Sequence, residues 1–229
     1  MNIPYIDIHT HRQNNPEEVI AIQSLFLQDV GPAITSSFTA AIHPWHVAMF
    51  TPDQILQRLE NILLQPGLMA IGETGLDKAC TSDYQQQKLI FELQIKFAET
   101  HDLPLIIHAV RSWNDMIGTL KRVKVPLVIH GYTAGIEITK QLIDIGAYFS
   151  FGKSVLTTNP GGRDIVRTIP SSSIFIESDE SNINVSVIYD EVSKIRNIPV
   201  GEMRFQIYKN FLTLFAENKN LNLRADLEF

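Results

Sequence analysis

Short apolar runs alternate along this chain with longer amphipathic segments, and that alternation is the mark of repeated β-α units around a parallel sheet. The runs predict eight strands, at 5–8, 21–27, 40–42, 68–71, 104–107, 127–129, 148–151 and 174–176. Thr51-Pro52-Asp53-Gln54 opens a helix: Thr51 can cap, Pro52 suits the first turn and Gln54 completes a capping box. The longest helix is expected over 84–101, where Leu89, Leu93 and Phe97 share a stripe. Further helices are expected over 114–122, 136–145, 163–168, 185–196 and 201–217. Between His9 and the second strand the chain reads RQNNPEE, too polar and too short for a crossover helix. The pattern therefore predicts an α/β fold of the TIM (β/α)8-barrel type, distorted by a truncated or missing first helix, with residues 1–229 as a single domain.

Composition changes this picture in three ways. Hydrophobic residues make up 45% of the chain and charged ones 19%, enough apolar material for a large core and too little charge bias for disorder. The net charge of −6 leaves no basic stripe for gripping long duplex DNA, so any contact with nucleic acid is expected to be short and local. Cys80 is the only cysteine, which excludes an internal disulfide and a thiolate zinc cluster and agrees with a reducing compartment. With neither a signal-peptide pattern nor an apolar run long enough for a membrane span, a cytoplasmic location without membrane contact is expected.

The candidate chemistry lies at the strand ends. Of seven histidines, His9 and His11 follow the first predicted strand, His43 and His46 the third, His108 the fifth and His130 the sixth, while His101 falls near the end of the long helix. Glu73, Glu177 and Asp179 follow other strands in the same way. In a parallel barrel these ends converge on one face, so residues scattered in sequence can meet. Imidazole and carboxylate together suit zinc, manganese or iron, in numbers sufficient for two ions. Within an extended segment residues i and i+2 project to the same side, which lets His9 and His11 grip one ion.

Several neighbours carry two readings each. Asp7 could orient a ligand or simply bond within the barrel floor. His43 and His46 could touch metal or substrate, or Pro44 and Trp45 beside them could shape a loop wall. Arg111 and Lys153 follow strand ends and could contact phosphate or be solvated rim charges. Trp45, Trp113 and Tyr132 could stack on a base or pack at the rim.

Taken together, DIHTH at 7–11, IHPW at 42–45, IGETGLD at 71–77, LPLIIHAVR at 103–111, VIHGY at 128–132, YFSFG at 148–152 and IFIESDES at 174–181 resemble the TatD family of metal-dependent hydrolases. The resemblance implies that His9, His11, Glu73 and Asp179 hold one divalent ion and that Glu73, His108 and His130 hold a second, with Glu73 bridging. The ions implied are zinc, magnesium or manganese. It further implies hydrolysis of DNA phosphodiesters by a metal-activated water, with Asp179 and Glu73 as catalytic residues and Asp179 moving the proton. Arg111, Lys153, His43 and Tyr132 are the substrate-contact candidates. The expected partner is DNA, single-stranded or at strand ends, with no obligate protein partner. The family commonly has His-Cys-Phe where His130-Gly131-Tyr132 stands here, a departure that concerns substrate rather than metal. Two other functions remain open at this point: hydrolysis of a small ester, amide or lactone at the same centre, and metal binding without catalysis.

Overall fold

The computed structural model describes residues 3–13, 16–31, 34 and 36–215. In chain order the strands are β1 (Tyr5–Thr10), β2 (Val19–Phe26), β3 (Phe38–Ala41), β4 (Leu68–Asp77), β5 (Leu105–Val110), β6 (Leu127–Ile129), β7 (Tyr148–Phe151) and β8 (Ile174–Ile176). The helices are α1 (Pro52–Leu63), α2 (Tyr84–Thr100), α3 (Trp113–Leu120), α4 (Ile136–Asp144), α5 (Pro160–Thr168), α6 (Val185–Arg196) and α7 (Val200–Phe215). The strands lie in one sheet in sequence order, β1 through β8, which is the strand order of a (β/α)8-type barrel. Among the described residues no α-helix joins β1 to β2 or β2 to β3, so the expected loss of the first helix is observed. No helix of the described residues is long and apolar enough to cross a membrane.

The last three strands coincide with the apolar runs that announced them, whereas β1, β4 and β5 continue beyond theirs. The reason is chemical. Their C-terminal ends carry His9, then Glu73, Thr74 and Asp77, and His108, polar residues that hydropathy reads as loop. The end of the predicted 201–217 helix lies partly outside the described residues, and α7 is described to Phe215.

Chain contacts cluster into two compact units, whose boundaries fall inside β2 and β6: unit 1 takes the described residues up to Gln23 and from Ile129 onward, unit 2 takes Ser24–Val128. In unit 1, β1 pairs in parallel with the start of β2 from Tyr5↔Val19 to Thr10↔Gln23. β7 pairs with β8. β1 meets the chain after β8 at an isolated bridge, Thr10↔Asp179. The Tyr189 hydroxyl, on α6, accepts from the Ile6 N–H and donates to the Ile6 carbonyl, both at 3.0 Å, satisfying β1 where strand bonds are missing.

In unit 2, β4 pairs with β3 and β5, and all ten of its residues are buried. Two buried glutamines of α2 hold it in place. Gln94 accepts from Ile42 N–H at 2.7 Å and donates to the Thr74 hydroxyl at 2.6 Å, while Gln87 accepts from Asp77 N–H at 2.8 Å and donates to the Asp77 carbonyl at 3.0 Å. Gly75 is required between them. Its φ is +150°, and a Cβ there would lie 1.9 Å from the His108 carbonyl oxygen, so only glycine lets β4 approach β5. The Thr51 capping box and Pro52 at the first turn of α1 form as expected.

Candidate functional site

Unit 1 gathers four of the sequence-predicted ligands. His9 points from the end of β1 and is fully buried, and its ring stacks at 4.5 Å from that of His130, which follows β6. Asp179 adopts a left-handed backbone (φ 53°), locked by its own N–H to the His9 carbonyl and by His11 N–H to its carbonyl. That turn presents Asp179 Oδ1 to His9 Nε2 at 3.9 Å and to His11 Nε2 at 3.7 Å.

Two further carboxylates lie beneath these side chains. Burial alone would raise the Glu177 carboxyl, but the His130 and His9 imidazoles outweigh it and hold the group below the usual carboxylate range. Its Oε1 faces His130 Nδ1 at 3.6 Å and accepts from Gly131 N–H at 2.9 Å. Asp7 is pushed up to about 6, chiefly by burial, against the opposing hydrogen bonds of Ser178. Its Oδ1 accepts from Ser178 N–H at 2.9 Å, so it ties β1 to the segment after β8. Glu177 had no assigned role in the sequence reading, although its place after β8 was visible.

Unit 2 gathers the others. Glu73 Oε2 faces His108 Nδ1 at 3.6 Å and His43 Nε2 at 3.8 Å, and one ligand atom from each of the three lies within 4.8 Å of the others. Glu73 Oε1 accepts from the Ser24 hydroxyl at 3.2 Å. His108 Nε2 lies 3.3 Å from Asp77 Oδ2, and Asp77 is held below the usual carboxylate range because hydrogen bonds from Trp45, Ala79 and His108 outweigh its burial. Asp77 was missed as a site residue. The signal was there: Glu73 and Asp77 are four apart in an extended segment, hence on one side of the strand.

The two imidazoles beside Glu73 differ in which ring nitrogen is engaged elsewhere. His108 donates Nε2–H to Asp77, which leaves the Nδ1 lone pair toward Glu73 and makes the ring ready to bind a cation. His43 instead accepts from Trp45 N–H through Nδ1, at 3.2 Å, so in its neutral form the proton sits on Nε2. His43 is thereby a donor on the Glu73 side, in keeping with a substrate contact rather than a ligand.

Both sets fit a divalent ion. Zinc–ligand bonds of about 2.0–2.2 Å place two ligand atoms on one tetrahedral ion roughly 3.3–3.6 Å apart; the Glu73–His108 separation of 3.6 Å meets that span, and the separations of 3.7 and 3.9 Å from Asp179 to His11 and His9 slightly exceed it. They are too long for ordinary hydrogen bonds.

The remaining candidates separate clearly. Arg111, with a left-handed backbone (φ 52°) just after β5, and Lys153, opening a 3-10 turn after β7, are both exposed. Tyr132 is a correction. It is 3% exposed, its hydroxyl bonds Thr139 at 2.8 Å and its ring packs 4.9 Å from Phe149. Burial pushes its hydroxyl up to about 12. Tyr132 therefore packs in the interior of unit 1 instead of offering its ring as a substrate contact. His46 contacts Gln28 at 3.1 Å and His101 packs on Phe97 at 4.5 Å, both in structural roles.

Comparison with known proteins agrees with this chemistry. Residues 23–216 match the family described as TatD related DNase. The chain belongs to the TatD family and is a metal-dependent hydrolase. Among curated relatives, an uncharacterized metal-dependent hydrolase of Methanocaldococcus jannaschii is 22% identical, over 93% of this chain and 98% of its own. A Schizosaccharomyces pombe protein named deoxyribonuclease Tat-D is 29% identical over 62% of this chain and 50% of its own. Among solved structures, the TatD homologue YjjV of Escherichia coli superposes with a TM-score of 0.77 at 22% identity, covering 94% of this chain and 99% of that one. A TatD family hydrolase of Entamoeba histolytica gives 0.75 at 15% identity, over 93% and 98%. The barrel fold is thus shared over nearly the whole length.

Proposed function

We propose that this chain hydrolyses phosphodiester bonds of DNA, at strand ends or on single strands, using two divalent ions of zinc, magnesium or manganese. The observation that carries this reading is the family match over residues 23–216, supported by the approach of Asp179 to His9 and His11 in unit 1 and of Glu73 to His108 in unit 2. The proposed ligands are His9, His11, Glu73, His108, His130 and Asp179. Bound ions supply Lewis acidity, polarising a phosphoryl oxygen and bringing the pKa of a water toward neutrality.

The chain's own residues do the rest. The Asp179 side chain is 33% exposed, with Oδ1 turned to the two imidazoles, so its other oxygen can take a proton from the attacking water and return it to the leaving oxygen. Such a group contributes about 10²–10⁴-fold. Asp77 keeps His108 oriented, Ser24 holds Glu73, and His43 Nε2–H donates to a phosphoryl oxygen. Arg111 and Lys153 contact phosphate, Arg111 with its forked donors and Lys153 as a point charge. A cytoplasmic location and the absence of an obligate protein partner belong to the same proposal.

The net charge of −6 favours a second reading, in which the same residues cleave a small ester, amide or lactone. Metal content and nucleotide release from labelled single-stranded DNA separate the two, comparing the wild type with Glu73→Ala and Asp179→Asn. Nuclease action requires metal-dependent release lost in both variants, with metal retained in Asp179→Asn. Bound metal with no release from any DNA refutes it, and cleavage of small esters would then establish the second reading.

A further inference from the structure

Trp45, in the 3-10 segment Pro44–Met49, is 49% exposed and yet held at three points. Its indole Nε1–H donates to Asp77 Oδ2 at 2.8 Å, its main-chain N–H donates to His43 Nδ1 at 3.2 Å, and its carbonyl accepts from the Ser82 hydroxyl at 3.1 Å. The ring stands at 73° to that of His43, 4.5 Å away, and at 78° to that of His108, 6.2 Å away. An exposed apolar residue says little by itself. A large aromatic fixed in orientation beside Glu73's two imidazoles says more, because a preorganised surface binds without the cost of ordering it.

We propose that Trp45 is a stacking platform for an unstacked nucleobase of the substrate, a role that rests on the nuclease reading above. The indole's single polar atom is already committed to Asp77, so recognition runs through the ring face and is tolerant of base identity. The Asp77 carboxylate beside the ring repels phosphate, which assigns the ring to the base and leaves the backbone to other groups. Bases inside a duplex have both faces occupied. Those at strand ends or in single strands have a face to give, and this makes Trp45 the selector of that substrate class.

The test uses the full chain carrying Trp113→Phe, in which Trp45 is the remaining tryptophan. Its emission is followed during titration with a nuclease-resistant phosphorothioate oligothymidylate and with an abasic strand of the same length and backbone. The base-bearing strand should quench the emission and bind more tightly. By anisotropy, Trp45→Ala should weaken binding of the base-bearing strand by about 5- to 150-fold, the range for loss of one stacked base, and bring it level with the abasic strand. Trp45→Phe, which keeps a ring but loses the Asp77 bond, should recover part of that loss.

Equal affinity for the two strands in the unsubstituted protein, or a Trp45→Ala loss equal for both, overturns the stacking role while leaving the nuclease reading standing. Failure of both strands to bind overturns the two readings together. Quenching by thymidine monophosphate as strong as by the oligomer makes a free nucleotide the ligand and overturns selection of strand ends.

Discussion

Replacing Tyr189 with phenylalanine removes one oxygen and leaves two main-chain groups of β1 without their partner. The hydroxyl accepts from Ile6 N–H and donates to Ile6 C=O, each at 3.0 Å in buried surroundings. Burial pushes the Tyr189 hydroxyl well above its ordinary value, so it stays protonated and able to donate. The phenyl ring would still pack edge-on against Tyr5, now at 5.0 Å, so the apolar contribution changes little. The cost is then that of stranding the Ile6 N–H and C=O, at about 1–3 kcal/mol for each. A total of at least about 2 kcal/mol is expected, which in a chain of this size lowers Tm by at least about 4 °C. Urea unfolding followed by circular dichroism reads the loss as a lower midpoint with an unchanged slope. A loss below about 0.5 kcal/mol, the range of ordinary surface substitutions, would refute the view that this hydroxyl stands in for a strand neighbour.

The tautomers argued at Glu73 predict different fates for two histidines: His108→Gln should lose bound metal, whereas His43→Gln should keep it and lose rate, as read by elemental analysis beside turnover. Equal metal loss in both would sink the tautomer assignment. Asp77→Asn should weaken metal binding by about 10–100-fold, because His108 loses its orienting carboxylate; equilibrium dialysis showing unchanged affinity would contradict this. Thr51→Ala breaks the capping box of α1 and should cost about 1 kcal/mol in chemical unfolding. Asp115 is held below its ordinary value near 3.8, first by its hydrogen bond with Lys78 and then by that with Tyr84. A carboxyl so depressed stabilises the fold above its ordinary value and loses that contribution as pH falls through the lowered one. The Tm difference between wild type and Asp115→Asn should therefore be largest near neutrality and shrink below about pH 4; a difference that grew in acid would refute the sign.

The strands most legible in the sequence were β6, β7 and β8, buried runs with clear ends. β4 was the least complete, because Glu73, Thr74 and Asp77 interrupt its apolar run although the strand continues through them to Asp77. The proposed ligands were readable as residue types at strand ends, since a parallel α/β pattern already implies that such ends converge. The supporting groups were harder to see. Ser24 and Gln87 look like ordinary polar residues until the fold buries them against Glu73 and Asp77.

What the sequence determined by itself was therefore the order of strands, the truncated or missing first helix and the candidate metal-type side chains. Periodicity and residue chemistry are local properties that one chain displays directly. What only the tertiary structure decided was the use of each side chain. Tyr132 went to the interior of unit 1 and Trp45 to the surface. His43 and His108 face the same carboxylate oxygen with opposite nitrogens committed elsewhere. These outcomes depend on which donor or acceptor lies within about 3 Å after folding, and that is set by groups far apart in the chain.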